Sequence, residues 1–487
     1  MNVAIISPFA TVAPHFETEL DIAQQHFDAG DSVEFINCFG ELANCDFNAE
    51  RDPTQCHDCV LRRNMGLELL ESSSLPVMAG CHRFTDENTP ELRTQFDSVE
   101  DLISYQIDDF DIGYAVLSSV VSICRDPDPD LAEQAELVNR FIKSAWQAYS
   151  QTREYLGKNR EAGRPIDRVY VYNGRFSAMR GVLRACQSMK VDCFLHERGC
   201  DGGHYELLKN HLPHDLNMIP KAIEDRWAAA QSNPNREQIA SSWFHERVNR
   251  VEKVWHSFVK DQESGRLPDN FDATQKNISI FSTSDDEFVS IGKEWHNDMY
   301  ANQVVAIERI CRDLFAVQEE THIFLRVHPN LKDVTNQRLK DMMSLDYPNL
   351  TVIAPGAPID TYALLNASDT IVSFGSTVGS EAIFWGKPSV LLGPCYYENL
   401  GGVYRARSHE ETIDLLARNL EPLEKTGALK YAYWFQTRGF PYKYFAATGL
   451  FEGTFKGQTL YARPEKAKGL GRVIKNAKRI FGSLQDR

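Results

Sequence analysis

Positive charge is scarce in this chain. Across 487 residues, 52 Lys and Arg stand against 68 Asp and Glu, for a formal net charge of -16. Binding along a nucleic-acid backbone needs a basic surface, so a nucleic-acid partner is excluded. Long apolar runs are also missing. The longest, Tyr114 to Cys124, is short and carries three serines, well below the ~20 residues a membrane span requires. The opening MNVAIISPFATVAPHF has no basic segment ahead of an apolar stretch and does not read as a signal peptide. The expectation is a soluble, cytoplasmic protein. The pattern G-x-x-x-x-G-K-[ST] does not occur, so a P-loop for ATP is unsupported.

Cysteine, by contrast, is plentiful, with eleven in the chain. In a reducing compartment these are core residues, metal ligands or reactive thiols. Most are scattered singly (Cys124, Cys186, Cys193 and Cys311 among them) and read as small buried hydrophobes. Four cluster: Cys38, Cys45, Cys56 and Cys59, the last two as Cys-His-Asp-Cys. A C-x-x-C pair near two more cysteines has the ingredients of a structural zinc site. The six residues between Cys38 and Cys45 depart from common zinc spacings, so packing or a loop staple is the preferred reading.

The length exceeds one ordinary domain, and 43% apolar and 11% aromatic residues are enough for large cores. Residues 2–7 read as a buried strand, Glu17 to Ala29 as a helix closed by Gly30, and Ser32 to Cys38 as a second strand. This is the opening of a βαβ unit. The pattern recurs with a strand at Asp167 to Asn173, a helix at Ser177 to Met189 and a strand at Val191 to His196. Residues 97–160 read as largely helical. The polar stretch 260–276 reads as a linker. After it the rhythm restarts with strands at 277–281, 322–327, 349–353, 370–374 and 388–392 and helices between them. The expected architecture is α/β, with two Rossmann-like domains facing across a cleft, helical insertions and a C-terminal helical extension. Its expected boundaries are 1–265 (acceptor side), 275–425 (donor side) and 426–487 (extension).

Chemistry-bearing residues fall at the ends of these strands. Arg326-Val-His328-Pro329-Asn supplies two phosphate donors after a buried strand. Ser373-Phe-Gly375-Ser376-Thr377-Val-Gly-Ser-Glu381 follows a strand and opens a helix. Its small residues admit an anion to the helix start, and Glu381 is placed to accept from ribose hydroxyls. Ser282-Thr283-Ser284 closes the first strand of the second domain. Those hydroxyls suit donor phosphates, although capping of a following turn explains them nearly as well. In the first domain, Glu197 and Asp201 lie among glycines in His196-Glu-Arg-Gly-Cys-Asp-Gly-Gly-His204. Glu197 is the first choice for a base that takes a hydroxyl proton, and Asp201 the second. Asn173-Gly-Arg175 closes the preceding strand and suits an acceptor group. His15, with Glu17 and Glu19, is a rival base set.

The ordered set Asn173-Gly-Arg175, Glu197-x-Gly199, Ser282-Thr-Ser284, His328-Pro329 and Gly375-Ser-Thr-x-Gly-Ser-Glu-Ala382 resembles the bacterial capsule polysaccharide biosynthesis proteins. These include the Kdo transferases of capsule assembly. The set is more distantly similar to the bacterial sialyltransferases, and the pattern spans roughly residues 165–400. The resemblance implies a GT-B fold and an inverting, metal-independent glycosyltransferase that requires no cofactor. Its substrates would be a nucleotide-sugar, CMP-linked in the Kdo and sialyl relatives, and a glycan or lipid-linked glycan of a bacterial surface polysaccharide. It also implies that His328 and Ser376/Thr377 hold donor phosphate and that an acid near Glu197 is the base. The sialyltransferase acid-acid-Gly pattern is Glu197-Arg198-Gly199 here. Teichoic-acid-type polyol-phosphate transferases resemble the second half as well, which leaves a CDP-alcohol transferase open. A non-catalytic scaffold in polysaccharide assembly and a GT-B sugar epimerase are further alternatives. A metal-clamping D-x-D is not evident: the prolines of Asp126-Pro-Asp-Pro-Asp130 suit a helix start. From Arg463 to Arg487 there are eight Lys/Arg and two Asp/Glu. With Val473, Ile474, Ala477, Ile480, Phe481 and Leu484 on one face, this reads as a basic amphipathic helix, either at the inner membrane surface or packed on the protein.

Overall fold

The structure is a computed structural model that describes residues 1–72, 80–85, 91–253 and 256–460. The described residues form two compact units. The first comprises 1–124, 128–215 and 438–460, and the second 125–127 and 216–437.

The first unit runs β1 (Asn2–Ser7), α1 (His15–Asp28), β2 (Ser32–Asn37), α2 (Pro53–Glu68), β3 (Cys81–Arg83), α3 (Val99–Ile103), α4 (Ile112–Cys124), α5 (Ala135–Glu161), β4 (Arg168–Tyr172), α6 (Ser177–Met189), β5 (Asp192–Arg198) and β6 (His204–Lys209). In the second unit the order is α7 (Met218–Ala229), α8 (Arg236–Val248), β7 (Lys276–Phe281), α9 (Gln303–Val317), β8 (Thr321–Arg326), α10 (Gln337–Met343), β9 (Leu350–Ile353), α11 (Thr361–Ala367), β10 (Thr370–Ser373), α12 (Thr377–Phe384), β11 (Ser389–Leu391), β12 (Tyr404–Arg405), α13 (His409–Ala417) and α14 (Thr426–Thr437). The chain then returns to the first unit as β13 (Phe440–Pro441), β14 (Phe445–Gly449) and β15 (Glu452–Phe455).

The two main sheets share a strand order. In the first, β3-β2-β1-β4-β5 are parallel neighbours, extended by antiparallel β6 and β13. In the second, β9-β8-β7-β10-β11-β12 are all parallel. Written from each unit's own first strand, both read 3-2-1-4-5, the Rossmann order. The chain winds outward in one direction from the first strand, then reverses. The reversal lies between β1 and β4 in the first unit and between β7 and β10 in the second. At such a switch point the connections leave on opposite faces, which opens a crevice at the carboxyl ends of the strands.

Helices on both faces bury the central strands on both sides: β1 is apolar throughout its centre, whereas β7 alternates with buried Asn277 and Ser279, the latter bonded to Ser368 Oγ at 2.7 Å. Val3, Ala4, Ile5 and Ile6 of β1 and Ile278 and Ile280 of β7 are at most 1% exposed. The first core gathers Val3, Ile5, Phe16, Leu20, Phe35 and Tyr170, and takes in Phe455 and Leu460 from the returning segment. In the second, Ile278, Ile280, Ile307, Ile323, Leu325 and Val372 pack together. Each such side chain contributes about 1.5–3 kcal/mol on burial.

The chain passes between units at different places from the expected boundaries of 265, 275 and 425. Residues 216–265 and 426–437 belong to the second unit, and 438–460 to the first. The reason is aromatic packing that sequence periodicity did not reveal. Phe244 of α8 stacks on Phe384 of α12 at 4.0 Å, and Trp243 lies 5.5 Å from Phe435 of α14. Those contacts bind α8 and α14 to the second unit. Beyond it, β13 extends the first sheet by pairing with β6. The 260–276 stretch is therefore a segment within the second unit rather than the crossing point. The basic segment 463–487 lies outside the described residues. Among the described residues no helix is long and apolar enough to cross a membrane.

Candidate active site

Several of the sequence-selected residues converge on the carboxyl edge of the first sheet. After β1 the chain runs through a short loop into α1, whose first turns carry His15, Glu17 and Glu19, all at most 2% exposed. β4 ends at Tyr172, and Asn173 follows with φ +53° in the left-handed region. Asn173 is held there by its own side chain: Oδ1 accepts from the Arg175 N–H at 2.9 Å, while Nδ2 donates to Glu197. Asn tolerates this backbone conformation better than most residues, because its short polar side chain bonds locally. The turn thus aims Asn173 at the neighbouring strand, where His196 and Glu197 sit. Glu197 lies within β5 rather than in the loop after it.

His196 Nε2 is 3.4 Å from Glu19 Oε1. Glu17 is paired with Arg62 of α2. The Tyr172 ring lies 4.3 Å from His15 and 5.6 Å from His196. Burial dominates the electrostatics. It raises the carboxyl pKa of Glu197, against the Asn173 hydrogen bond that opposes the rise. The same holds for Glu17, with Arg62 opposing. His15 is pushed well below its usual value by burial, then by the positive field of Arg198 and its neighbours. Asp46 is pushed up to about 6 by burial. Glu17, Glu19 and His15 are sealed, whereas Glu197 keeps part of its surface. A carboxylate with a raised pKa, an orienting partner and solvent access is equipped to take a proton.

Arg175 is 0% exposed, with its guanidinium over the Phe176 ring at 4.6 Å. Arg175 is therefore packed inside the first unit rather than displayed on its surface. Asp201 lies in the turn between β5 and β6, where its carboxylate meets His204 Nδ1 at 2.6 Å and the Gly203 N–H at 2.8 Å.

On the second sheet the selected residues also share the carboxyl edge. Ser282 follows β7, His328 follows β8 and Ser376 follows β10, on adjacent strands. Ser282 Oγ accepts from the His328 N–H at 3.0 Å, locking two of these ends together. Pro329 opens a tight turn whose Asn330 N–H donates to His328 Nδ1 at 3.1 Å. In the neutral ring this leaves the proton on Nε2, the nitrogen that remains a donor. Thr283 is tied to Gln303, both through its N–H at 2.9 Å and through its hydroxyl at 2.9 Å. Ser284 Oγ accepts from Asn330 at 3.5 Å. Gly375 has φ +114°, and a Cβ there would come within 2.7 Å of the Pro394 carbonyl oxygen. That turn therefore needs glycine, and tight packing accounts for part of the motif. Ser376 caps α12 through Val378 N–H at 3.4 Å.

Two expectations change in detail. Arg326 is 2% exposed, and its guanidinium donates to the carbonyl oxygens of Ala354 and Ala357 at 2.5 and 3.3 Å, so it braces a loop. Glu381 is 1% exposed, and its carboxylate accepts from Arg247 at 3.0 Å, Thr377 Oγ1 at 3.0 Å and Tyr362 OH at 2.6 Å. It fixes the helix start instead of presenting itself to a ribose. The sequence reading missed Arg247. It comes from α8, is 30% exposed at the side chain and also donates to Thr377 Oγ1 at 3.1 Å. It brings a cation to the first turn of α12. No local motif announces it, because it arrives from 130 residues away.

Among the described residues, Cys38, Cys45, Cys56 and Cys59 do not bring three ligand atoms within 4.8 Å of one another. Cys59 Sγ accepts from the Ala10 N–H at 3.2 Å, Cys38 Sγ from the Gly40 N–H at 3.3 Å and Cys56 Sγ from Asn48 at 3.2 Å. Burial raises the thiol pKa of Cys38, and raises that of Cys45 well above its usual value.

No protein-family model matches the chain, and no curated protein matches it in sequence. Solved structures with a similar fold include KpsC of Thermosulfurimonas dismutans, a beta Kdo 2,4 transferase. It has 13% identity and a TM-score of 0.36, over 55% of this chain and 79% of that one. UDP-GlcNAc 2-epimerase of Methanocaldococcus jannaschii is 10% identical, over 88% of this chain and 97% of that one, with a TM-score of 0.27. The glycotransferase of kitacinnamycin is 12% identical, over 89% and 94%, with a TM-score of 0.25.

Proposed function

We propose that the protein is a GT-B glycosyltransferase that moves a sugar from a nucleotide-activated donor to a glycan hydroxyl. One observation carries the reading: in both Rossmann-type sheets the chemistry-bearing residues gather at the carboxyl edge around the switch point, where such sheets bind ligands. The second unit offers donors for a diphosphate or monophosphate, namely His328 Nε2, Arg247 and the first N–H groups of α12. The first unit offers Glu197, with Asn173 as its positioning residue.

In the inverting form of the reaction, the acceptor oxygen forms a bond to the anomeric carbon as the bond to the donor phosphate breaks. The acceptor proton passes to Glu197, and the departing phosphate takes its charge stabilisation from the second unit's donors. A CMP-linked donor and a surface-polysaccharide or lipid-linked acceptor follow from the motif resemblance, and attachment at the inner membrane face follows from the charge and apolar spacing of residues 463–487. The test is nucleotide release from a panel of CMP-, CDP-, UDP-, GDP- and TDP-activated sugars, with and without glycan acceptors. Acceptor-dependent release from one donor, lost in Glu197→Gln, supports the assignment. Release that persists at near-normal rate in that variant removes Glu197 as the base.

A further inference from the structure

The turn that follows Glu197 carries three side chains of different ligand type. Cys200, Asp201 and His204 place one sulfur, one carboxylate oxygen and one imidazole nitrogen within 4.8 Å of one another. Among the described residues this is the only such group of three. Around a tetrahedral ion with bonds of ~2.0–2.3 Å, ligand atoms lie roughly 3.3–3.8 Å apart, so a small rotation of each side chain closes the set.

The backbone of the turn is already fixed. Gly199 N–H donates to His204 O at 2.9 Å, and His204 N–H to Asp201 O at 3.2 Å. From outside, Cys200 N–H donates to Arg438 O at 3.1 Å, and Tyr442 N–H to Gly203 O at 2.9 Å. Gly199 leaves no room for anything bulkier: a Cβ there would come within 2.6 Å of His204 Cβ. The Gly203 N–H on Asp201 Oδ1 at 2.8 Å is the kind of outer hydrogen bond that orients a ligating carboxylate. The Asp201 and His204 side chains are 45% and 33% exposed, which leaves water access to a fourth position.

We propose that Cys200, Asp201 and His204 bind one divalent metal ion of borderline softness, with zinc the best fit to a sulfur, nitrogen and oxygen set and water as the fourth ligand. Binding displaces the thiol proton into solvent, while the neutral His204 ring keeps its proton on the nitrogen that does not bind the ion. The ion braces the turn directly after Glu197, which backbone hydrogen bonds already tie to the returning 438–442 segment. Its role is structural, and the site stands independently of the transferase reading.

The full chain, stripped with a chelator and dialysed, is titrated with Co2+ and then Zn2+. The expected result is one Co2+ per chain with a thiolate-to-cobalt charge-transfer band that Zn2+ abolishes. Cys200→Ser loses the band, His204→Ala binds at least tenfold more weakly, and Cys56→Ser retains wild-type binding. Should Cys200→Ser fail to fold, alkylation of wild-type Cys200 by iodoacetamide with and without Zn2+ provides the second readout, and at least tenfold protection is expected. Absence of a band in folded wild-type protein, a band lost in Cys56→Ser but kept in Cys200→Ser, or equal alkylation with and without Zn2+ overturns the proposal.

Discussion

Glu197 and Asp46 are both carboxyl groups whose pKa burial has raised, and the two shifts have different consequences. Glu197 must be ionised to accept a proton. Because its pKa is raised above 4.5, the acidic limb of the rate should lie at higher pH than for an ordinary glutamate. Activity should fall as pH drops through that raised value. Replacing Asn173 by Ala removes the hydrogen bond that opposes the shift, so the limb should move further up in pH while the maximal rate falls, read from a pH–rate profile. For Asp46 the consequence is stability. Its pKa is about 6 when folded, against 3.8 as the reference. The folded state therefore holds its proton more tightly, and the stability it contributes is present below pH ~4 and lost as pH rises through ~6. Asp46→Asn should match the wild type in acid and exceed it at pH 7 by on the order of 2–3 kcal/mol, measured by urea denaturation at both pH values.

At the scale of elements, the βα turns decide whether the site exists. Gly375 combines φ +114° with a carbonyl oxygen 2.7 Å from where a Cβ would sit. Gly375→Ala should cost about 1–3 kcal/mol in backbone strain and displace Ser376 and the start of α12. Any nucleotide-induced rise in melting temperature should be lost with it. Most of the β/α rhythm was legible in the sequence. β1, α6 and β7 to β11 lie within a residue or so of where their apolar runs predict them, because parallel strands buried on both faces are largely apolar. Individual side-chain roles were less legible. Glu381 and Arg326 sit in functional-looking motifs, yet their partners Arg247, Tyr362, Ala354 and Ala357 come from other elements. Only tertiary packing determines whether such a residue faces a ligand or a loop. Glu197 carries its charge near a strand end, and Asn173-Gly174 is a dipeptide that favours the left-handed turn found there, but that this turn delivers Asn173 to Glu197 depends on the pairing of β4 with β5.

For the whole molecule, the sequence division at 425 fails for a physical reason. Phe455 and Leu460 are 0% and 2% exposed in the first core, and Leu460 O accepts from Arg62 Nε at 2.9 Å. Arg62 in turn holds Glu17. A chain ending at 425 should therefore lose the core of the first unit and expose apolar surface. It should aggregate, or bind a hydrophobic dye, under conditions where a chain ending at 460 stays monomeric by size-exclusion chromatography. Each unit carries its own set of residues at the carboxyl edge of its sheet, and the proposed transfer draws on both sets. The most direct measurement is a thermal-shift screen of the wild type, His328→Ala and Glu197→Gln against CMP, CDP, UDP, GDP, TDP and ADP. A nucleotide at 100 times its Kd stabilises the folded state by about 2.7 kcal/mol. One nucleotide is expected to raise the melting temperature of the wild type and of Glu197→Gln, and His328→Ala to lose most of the shift. If folded wild-type protein shows no shift with any of the six, the account of a nucleotide-activated donor is contradicted.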